Sequence, residues 1–177
     1  MNFAYLDSPI GPLLIAGDAE TIHRISFPKN GKPVRPEPGW TESTRGAIGQ
    51  GIRQLREYFD GRRTDFALPL SPEGTVFQMA VWRALCEIPY GKTISYGELA
   101  RCIGNAKASR AVGAANGKNP LPIVVPCHRV IGADGTLTGF GGGLPIKQAL
   151  LDLERQVVGQ SQTASRKQRM ASRVAGA

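Results

Sequence analysis

The first 27 residues alternate short apolar runs with turn residues, a pattern that predicts a small β-sheet. The runs lie at residues 3–6, 13–16 and 22–27, and the segments SPIGP and GDAE between them are turn signals. Residues 29–39 are rich in proline and glycine and predict a loop. We therefore expect three short strands joined by turns at the start of the chain.

A longer helical pattern follows this sheet. Apolar residues recur at a spacing of three and four between residues 43 and 60, and Gly61 is typical of the end of a helix. Residues 66–70 predict one more edge strand, and the segment SPEG after them predicts a linker. This first half contains no constellation of reactive groups, and His23, which stands alone in a strand, is expected to be structural.

The next segment predicts helices rather than strands. Residues 75–87 predict an amphipathic helix with Val76 on its inward face. Ser95 and Glu98 match a capping box at the start of a second helix, and residues 109–116 predict a third. Two short helices joined by a tight turn, the second with a basic residue near its start, indicate a helix-turn-helix.

The third predicted helix carries almost no bulky side chain after Arg110, since its sequence is SRAVGAANG. A helix trimmed in this way lets its backbone approach a partner closely. The partner is either another helix or a nucleic acid groove, and in the second case Arg110 can project into the duplex.

An apolar run, a turn and a glycine-rich loop lie beyond the helix pair. Ile123–Val125 predicts a short buried strand, and Asp134 with Gly135 is a hairpin signal that predicts a β-wing. The glycines between residues 139 and 143 predict a loop that contacts a ligand through backbone N–H groups. Residues 144–155 predict a closing helix.

The fold class that these patterns predict is α+β. A small sheet-and-helix domain at residues 1–72 precedes a winged helix-turn-helix domain at residues 73–155. Residues 156–177 are polar and uncapped, with four basic and no acidic residues, and they predict a disordered tail that attracts DNA electrostatically.

Composition narrows the classes of function. The chain has 177 residues, of which 41% are hydrophobic, enough for a packed core and too many for a disordered chain. It holds no apolar run of about 18 residues and no secretion signal at its start. Its three cysteines do not make a disulfide framework and suit a reducing compartment, so we expect a cytoplasmic protein.

The net charge of +8 favours a polyanionic partner such as nucleic acid. Between residues 88 and 133 the chain carries six basic residues and a single acid, Glu98. The most basic part of the folded chain therefore contains the motif VVPCHRV, although scattered solubilising charges would give a similar count.

That motif places Cys127, His128 and Arg129 side by side. A thiol becomes a good nucleophile when a neighbour favours the thiolate, but a buried, inert cysteine is an equally open interpretation. No pair of cysteines or histidines stands at metal-ligand spacing, so no metal site is expected. A thiol hydrolase would need a histidine from distant sequence, for which His23 alone remains.

Four stretches of the chain resemble the alkylguanine-DNA alkyltransferases, the methylated-DNA–protein-cysteine methyltransferases. They are FQMAVWRALCEIPYGKTISYGELA, SRAVGAANGKNP, IVVPCHRVIG and TGFGGGLPIKQALLDLE, within residues 75–155. The N-terminal half is loosely similar to that family's small domain. The resemblance implies an RNase H-like sheet-plus-helix domain followed by a winged helix-turn-helix domain.

The resemblance also implies a chemistry. Cys127 would take an alkyl group from O6 of a damaged guanine in DNA, once per molecule, because a thioether does not readily reverse. His128 would act through a bound water as general base, and Glu154 would hold the other imidazole nitrogen. Asn119 would brace the turn beside the cysteine, and Tyr96 would donate its hydroxyl to the leaving guanine.

Binding of double-stranded DNA is implied as well, through the minor groove and with the target nucleotide flipped out. Arg110 would fill the space that the base leaves. The residues at the DNA would be Arg110, Ala111, Gly113, Ala114 and Tyr96. The pocket would be formed by Val130, Phe140, Gly141 and Gly142, with the Gly141 N–H facing O6 and the carbonyls of Cys127 and Val130 facing the exocyclic amine.

The resemblance implies no cofactor, and we expect a monomer without a membrane partner. Several members of the family carry a structural zinc, but residues 1–72 contain no cysteine and one histidine, so no metal is expected here. Phe140 stands where a tyrosine is frequent, which removes one hydroxyl from the pocket. The rival hypothesis is a winged-helix DNA-binding protein whose cysteine senses oxidation or alkylation, and a thiol hydrolase comes third.

Overall fold

The computed structural model describes the backbone of residues 1–175 and the side chains of residues 1–169. Its N-terminal part is a four-stranded sheet in the order β3-β2-β1-β4. The strands are β1 (Asn2–Leu6), β2 (Leu13–Gly17), β3 (Ile22–Ser26) and β4 (Thr41–Glu42). β1, β2 and β3 are antiparallel neighbours, which confirms the three predicted strands, and β4 runs parallel to β1.

Two edge features of this sheet differ from expectation. β4 has two exposed residues, so no apolar pattern announces it. The edge strand expected at residues 66–70 does not form, because Leu70 makes a single bridge to Ile22 and Pro69 has no N–H to donate to a ladder. This segment still follows the sheet, since the Ile22 N–H donates to the Pro69 carbonyl over 2.9 Å.

One face of the sheet is covered by α1 (Gly46–Phe59). The helix buries a stripe of apolar side chains against the sheet. Every residue of the central strand β2 is buried. Its last turn carries Tyr58, which is fully buried and points toward the C-terminal half of the chain. The sheet-and-helix unit therefore supplies a wall for the second half of the molecule.

The second half begins with three helices: α2 (Val76–Cys86), α3 (Tyr96–Cys102) and α4 (Ser109–Gly117). The capping box of Ser95 and Glu98 forms at the start of α3 as expected. Trp82 on α2 donates from its indole N–H to the Ala115 carbonyl on α4 over 2.9 Å, which fixes the two helices together. Val76 is 90% exposed rather than inward, because the first turn of α2 extends beyond the core.

The wing is shorter than the sequence predicts. β5 (Ile94–Ser95) pairs in parallel with β6 (Val130–Ile131), and no described strand contains Leu137. The Asp134–Gly135 turn does form, since the Gly132 N–H donates to the Thr136 carbonyl over 2.8 Å. The wing is therefore a turn that follows β6 rather than a full β-hairpin.

The last element is α5 (Leu144–Ala175), which is longer than the closing helix predicted at residues 144–155. The expectation of a disordered tail is wrong for residues 156–175, where the sequence holds no proline and many residues with high helix propensity. Residues 176 and 177 of that predicted tail lie outside the described residues.

The two halves share one buried apolar cluster, which runs from the sheet through α1 to the helices of the second half. The Ile25 N–H at the edge of β3 donates to the Pro120 carbonyl over 2.8 Å and ties the sheet to the segment before Cys127. Among the described helices, none combines the length and hydrophobicity that crossing a membrane requires.

Candidate active site

The segment before Cys127 is a tight turn, not the buried strand that its apolar run predicts. Leu121 accepts a hydrogen bond at its carbonyl from the Val125 N–H over 2.8 Å, and Pro122 and Val125 form an isolated bridge. Ile123 lies in the left-handed region at φ 76°, where a β-branched residue is strained. Burial of all five residues 121–125 holds the strained turn in place.

Asn119 braces this turn from both sides. Its Nδ2 donates to the Val125 carbonyl over 2.7 Å, and its Oδ1 accepts from the Leu121 N–H over 3.0 Å. One amide side chain thus satisfies two backbone groups that the turn leaves without partners. Asn119 therefore links the two ends of the turn that precedes Cys127.

Cys127 opens a one-turn 3-10 helix, Cys127–Arg129, and is almost fully buried. Burial raises the pKa of its thiol to about 11, and the Asn119 side chain, Lys147 and nearby backbone N–H groups offset only part of that rise. The thiol is therefore protonated near neutral pH in the free protein. A base must remove its proton before or during any nucleophilic attack.

The next residue, His128, is fully buried and paired with Glu154 on α5. Its Nε2 lies 2.7 Å from Glu154 Oε1, and because an ionised carboxylate only accepts, Nε2 carries the proton. Nδ1 is buried and has no hydrogen-bond partner within residues 1–169. Burial lowers the pKa of His128 despite the opposing effect of Glu154, which leaves a neutral imidazole with a free lone pair.

Glu154 collects more donors than the sequence predicts. Arg129 Nε lies 3.0 Å from Oε2 and Arg129 Nη2 lies 3.0 Å from Oε1. The Gly91 N–H donates to Oε2, and the Tyr58 hydroxyl donates to Oε1, each over 2.9 Å. Burial by itself would raise the pKa of Glu154, but His128 and Arg129 outweigh it and hold the pKa at about 2.

Arg129 therefore serves the carboxylate rather than the thiol. Besides its contacts with Glu154, its Nη1 donates to the Ile88 carbonyl over 2.7 Å, and its guanidinium lies 5.5 Å from the centre of the Tyr90 ring. The sequence places Arg129 two residues from Cys127, but the 3-10 turn sends the two side chains in different directions.

A buried lysine that is not among the site residues predicted from the sequence lies beside the site. Lys147 on α5 is fully buried, and its Nζ donates to the carbonyls of Val130 and Thr138, over 2.5 and 3.0 Å. Burial lowers the pKa of Lys147, and its charge in turn lowers the pKa of the Cys127 thiol. Its spacing of seven from Glu154 puts both on the inward stripe of α5, a signal that the sequence does contain.

The thiol faces a cavity of about 110 Å³ between the two halves of the molecule. Cys127 and Asn119 line it, together with Phe140 and Gly141 of the predicted pocket. Residues from the sheet and α4 complete the wall: Ile25, Phe27, Asn116 and Gly117, together with Pro122 and Gly139. The contribution of the N-terminal sheet is not visible in the sequence.

Two of the expected pocket residues lie elsewhere. Gly142 stands behind the wall, where a Cβ would lie 2.7 Å from the Phe27 ring. Val130 is fully buried, and its carbonyl, expected to face a guanine amine, accepts from Lys147. The Cys127 carbonyl faces the Asn116 amide nitrogen at 3.4 Å. In the free protein, Val130 and Gly142 are not among the residues that line this cavity.

The helix α4 presents its small side chains to the outside. Arg110, Ala111 and Ala114 are exposed, while Val112 and Ala115 face the core. Gly113 is half-buried, and a Cβ there would lie 3.7 Å from the Tyr96 ring. The exposed face therefore carries small side chains, with the basic side chain of Arg110 near its N-terminal end. Such a face suits a helix that binds in a nucleic acid groove.

Tyr96 is the first residue of α3 and lies between α4 and the wing. Its hydroxyl donates to the Thr138 carbonyl over 3.4 Å, and Lys147 Nζ lies 5.9 Å from the centre of its ring. It is half-buried beside the cavity wall rather than among the residues that line the cavity.

No cluster of three or more His, Cys, Asp or Glu side chains that could hold a metal ion occurs in the part of the chain that the structure describes. His23, the one histidine of the N-terminal half, contacts Asp18 and Thr21 at 2.9 Å each. That contact gives His23 the structural setting expected for it.

Two family models match nearly the whole chain. The ribonuclease-like domain of 6-O-methylguanine DNA methyltransferase matches residues 1–72, and the DNA binding domain of the same protein matches residues 76–156. A methylated-DNA–protein-cysteine methyltransferase of Methanosarcina acetivorans is 53% identical over 154 residues, which is 87% of this chain and 98% of the relative. One from Haemophilus influenzae is 49% identical over 157 residues, covering 88% of this chain and 87% of the relative.

Solved structures agree with these matches. The crystal structure of Mycobacterium tuberculosis OGT in complex with DNA superposes with a TM-score of 0.81 at 47% identity, over 89% of this chain and 94% of the other. Mycobacterium tuberculosis O6-methylguanine methyltransferase gives a TM-score of 0.78 at 48% identity, over 88% and 93% of the two chains. The similarity therefore spans both halves of the molecule.

Proposed function

This chain belongs to the 6-O-methylguanine DNA methyltransferase family, and we propose that Cys127 is the cysteine that receives the alkyl group. As a member of that family it binds DNA and repairs it by transferring an alkyl group to one of its own cysteines.

One observation carries the assignment of Cys127. It lines the cavity next to the exposed face of α4, and the next residue along the chain joins a buried His128–Glu154 pair. The other two cysteines, Cys86 and Cys102, are exposed and lie outside that cavity. Cys127 therefore combines a thiol, a base and a space for a substrate.

The reaction is a displacement at the alkyl carbon. The Cys127 sulfur forms a bond to that carbon while the bond from the carbon to guanine O6 breaks, and the electron pair goes to O6. His128 Nδ1 takes the thiol proton through one water molecule, and the repaired guanine takes up a proton as it leaves. Glu154 keeps the imidazole proton on Nε2, so that Nδ1 stays free to act as the base.

The raised pKa of the thiol makes this base necessary. With a pKa of about 11, Cys127 has a very small thiolate fraction near neutral pH. Lys147 then stabilises the negative charge that the sulfur gains as the proton leaves. The small thiolate fraction also slows the reaction of the resting thiol with other electrophiles.

The hydroxyl of Tyr96 and the backbone N–H of Gly141 are proposed donors to the leaving guanine. Gly141 lines the cavity, and Tyr96 lies next to it with a weak hydrogen bond to Thr138 that a better acceptor can replace. Each donor would stabilise negative charge on the purine as the bond to the alkyl carbon breaks.

The cavity also supports extrusion of the base from the duplex. O6 of a stacked guanine cannot reach a buried thiol, so the nucleotide must be flipped at a cost of a few kcal/mol. The cavity beside Cys127, about 110 Å³ in volume and bordered by Gly139, Phe140 and Gly141, would receive the flipped base. Exposed Arg110 on α4 would occupy the gap in the stack.

The protein acts once per molecule under this proposal, because an S-alkylcysteine is a poor leaving group and nothing at the site returns the thiol. A cytoplasmic location is proposed on related grounds, since Cys127 must stay reduced to react and the cytoplasm keeps thiols reduced. The domain limits at residues 72 and 155 are likewise a proposal, although the two family models end close to them.

A stoichiometric assay tests the function. The purified protein is mixed with duplex DNA that carries one O6-methylguanine, and the peptide containing Cys127 is weighed by mass spectrometry. We expect a gain of one methyl group per protein molecule, none in Cys127→Ser, and lesion binding retained in that variant. An unmodified Cys127 in folded, reduced protein that still binds the lesion would favour a DNA-binding sensor and refute the proposal.

A further inference from the structure

The buried carboxylate behind the active cysteine is contacted by a tyrosine from the other half of the chain. Tyr58 lies at the end of α1, 96 residues from Glu154, yet its hydroxyl donates to Glu154 Oε1 over 2.9 Å. The Tyr58 side chain is fully buried. The N-terminal half therefore reaches the pair that includes the proposed base.

The direction of this hydrogen bond is fixed by the two groups. Glu154, with a pKa of about 2, is ionised and can only accept. Burial, together with the negative charge of Glu154, raises the pKa of Tyr58 well above its usual value, so the phenol keeps its proton. Tyr58 is therefore a permanent donor across the working pH range.

The oxygen that accepts from Tyr58 is the one that accepts from His128. Oε1 lies 2.9 Å from the Tyr58 hydroxyl, 2.7 Å from His128 Nε2 and 3.0 Å from Arg129 Nη2. Each donor withdraws part of the negative charge that the imidazole feels and limits rotation of the carboxylate. A change at Tyr58 must therefore change both the position and the basicity of His128.

Aromatic packing holds the donor in place. The Tyr58 ring contacts those of Phe59, Phe66 and Tyr90, at centroid distances of 5.4, 5.6 and 6.0 Å. Phe59 and Phe66 belong to the N-terminal half, whereas Tyr90 precedes Gly91, whose N–H donates to the other oxygen of Glu154. The hydroxyl is thus aimed by both halves of the molecule.

We propose that Tyr58 is a positioning residue for alkyl transfer, which acts through Glu154 to set the orientation and basicity of His128. The N-terminal half then takes part in the chemistry rather than only covering the second half. The inference rests on the proposed function of Cys127 and adds a residue that no sequence motif of the site contains.

The Tyr58 hydroxyl also affects how the rate of alkyl transfer depends on pH. Loss of the Tyr58 hydroxyl leaves more negative charge on Oε1 for His128, so the imidazole becomes more basic. Because the base works in its neutral form, the acid limb of the rate profile should move to higher pH. The charged or titratable groups that face this pair are Tyr58 from α1, Tyr90 from the loop after α2, Cys127 and Arg129 from the same turn, and Lys147 from α5.

The test compares Tyr58→Phe with a matched control, Tyr5→Phe. Tyr5 is also in the N-terminal half, where its hydroxyl donates to the Val34 carbonyl over 2.9 Å. It packs against a different apolar cluster from the one that contains Cys127. Both variants lose one hydroxyl and keep the ring. Methylation of Cys127 by free O6-methylguanine is followed by mass spectrometry from pH 5 to 9, so that DNA binding does not enter the rate.

We expect transfer by Tyr58→Phe to slow about tenfold, as befits one hydrogen bond to a charged group. Its acid limb should shift to higher pH, while Tyr5→Phe matches the parent protein in both respects. The dissociation constant for lesion-bearing duplex should be the same in all three proteins.

A second variant covers the case in which Tyr58→Phe does not fold. Replacement of Tyr58 by 3,5-difluorotyrosine keeps the hydrogen bond and makes the phenol a stronger donor, so the acid limb should move to lower pH. An acid limb that stays with that of Tyr5→Phe in either Tyr58 variant overturns the inference, even if the rate falls. Absence of methylation in the parent protein would instead refute the proposed function itself.

Discussion

Asn119 donates a hydrogen bond from Nδ2 to the carbonyl oxygen of Val125 over 2.7 Å and so closes the turn that ends two residues before Cys127. Within that turn Ile123 has φ 76°, a conformation that costs a β-branched residue on the order of 1–3 kcal/mol. The position of the thiol therefore depends on a strained backbone that one amide side chain holds closed.

Replacement of Asn119 by alanine should affect both stability and transfer. The Val125 carbonyl and the Leu121 N–H would lose their partners inside the protein, at a cost of about 1–3 kcal/mol in the free energy of unfolding. Urea denaturation measures this loss, and a methylation time course should show slower modification of Cys127. Asn105→Ala, at an exposed position, is the control and should change neither quantity.

Lys147→Met should make the thiol harder to ionise. The lysine charge lowers the pKa of Cys127, so its removal should raise that pKa further above about 11. The rate of carbamidomethylation of Cys127 by iodoacetamide between pH 7 and 9 reports the thiolate fraction, and we expect it to fall several-fold at each pH. Lys92→Met, at an exposed lysine, should react as the parent does; equal rates for the two variants would exclude an electrostatic role for Lys147.

The free energy of unfolding should decrease as the solution is acidified, because protonation of Glu154 and protonation of His128 both favour the unfolded state. Glu154 has a pKa of about 2 in the folded protein, below its value of about 4.3 in the unfolded chain. Its contribution to stability is therefore fully present above about pH 4.3 and is lost as the pH falls toward 2. Burial lowers the pKa of His128, so acid protonates the unfolded state first, below about pH 6.5.

Urea denaturation at several pH values between 7 and 3 measures this dependence. Glu154→Gln should be less stable at pH 7 and should show a shallower decline of the unfolding free energy between pH 5 and 3. Glu42→Gln, at an exposed position on β4, is expected to keep the slope of the parent. A Glu154→Gln slope as steep as that of the parent would contradict the role of this carboxylate.

Arg110→Ala should slow repair of duplex DNA and leave the chemistry intact. Arg110 is exposed on α4 and is proposed to replace the flipped base in the stack, so its loss raises the cost of extrusion. We expect a fall of about tenfold in the methylation rate on duplex DNA, which corresponds to about 1.4 kcal/mol. Free O6-methylguanine needs no flipping and should react at the parental rate.

The control for Arg110 is Arg53→Ala, which removes an exposed arginine of the same charge from α1. If Arg53→Ala slows the duplex reaction as much as Arg110→Ala, the effect reflects net charge and not insertion into the stack. A loss of activity on the free base in Arg110→Ala would also argue against the role proposed for this side chain.

Much of the fold follows from local pattern. The three strands β1 to β3, the helix α1 and the capping box at Ser95 are all announced by spacing and turn residues, because such elements depend on neighbours in the sequence. The sequence-based predictions fail where tertiary contacts determine the backbone conformation. The run Ile123–Val125 has the composition of a strand, but Asn119 and the surrounding core bend it into a turn.

At the end of the chain, a segment predicted to be disordered is instead helical. Residues after 155 lack an apolar stripe and a cap, which favours disorder by pattern, yet α5 continues to Ala175. A helix that is already nucleated by packing of its first turns can extend at little cost through residues of good helix propensity.

The sequence by itself determined the thiol, its neighbouring histidine and arginine, the trimmed helix and, through family resemblance, the pairing of His128 with Glu154. These are properties of residue type and order. Only the tertiary structure decided that Tyr58 and Lys147 belong to the same site, that Arg129 turns to Glu154 and not to the thiol, and that burial raises the Cys127 pKa. The physical reason is that burial and hydrogen bonds between distant segments set protonation, and neither has a signature along the chain.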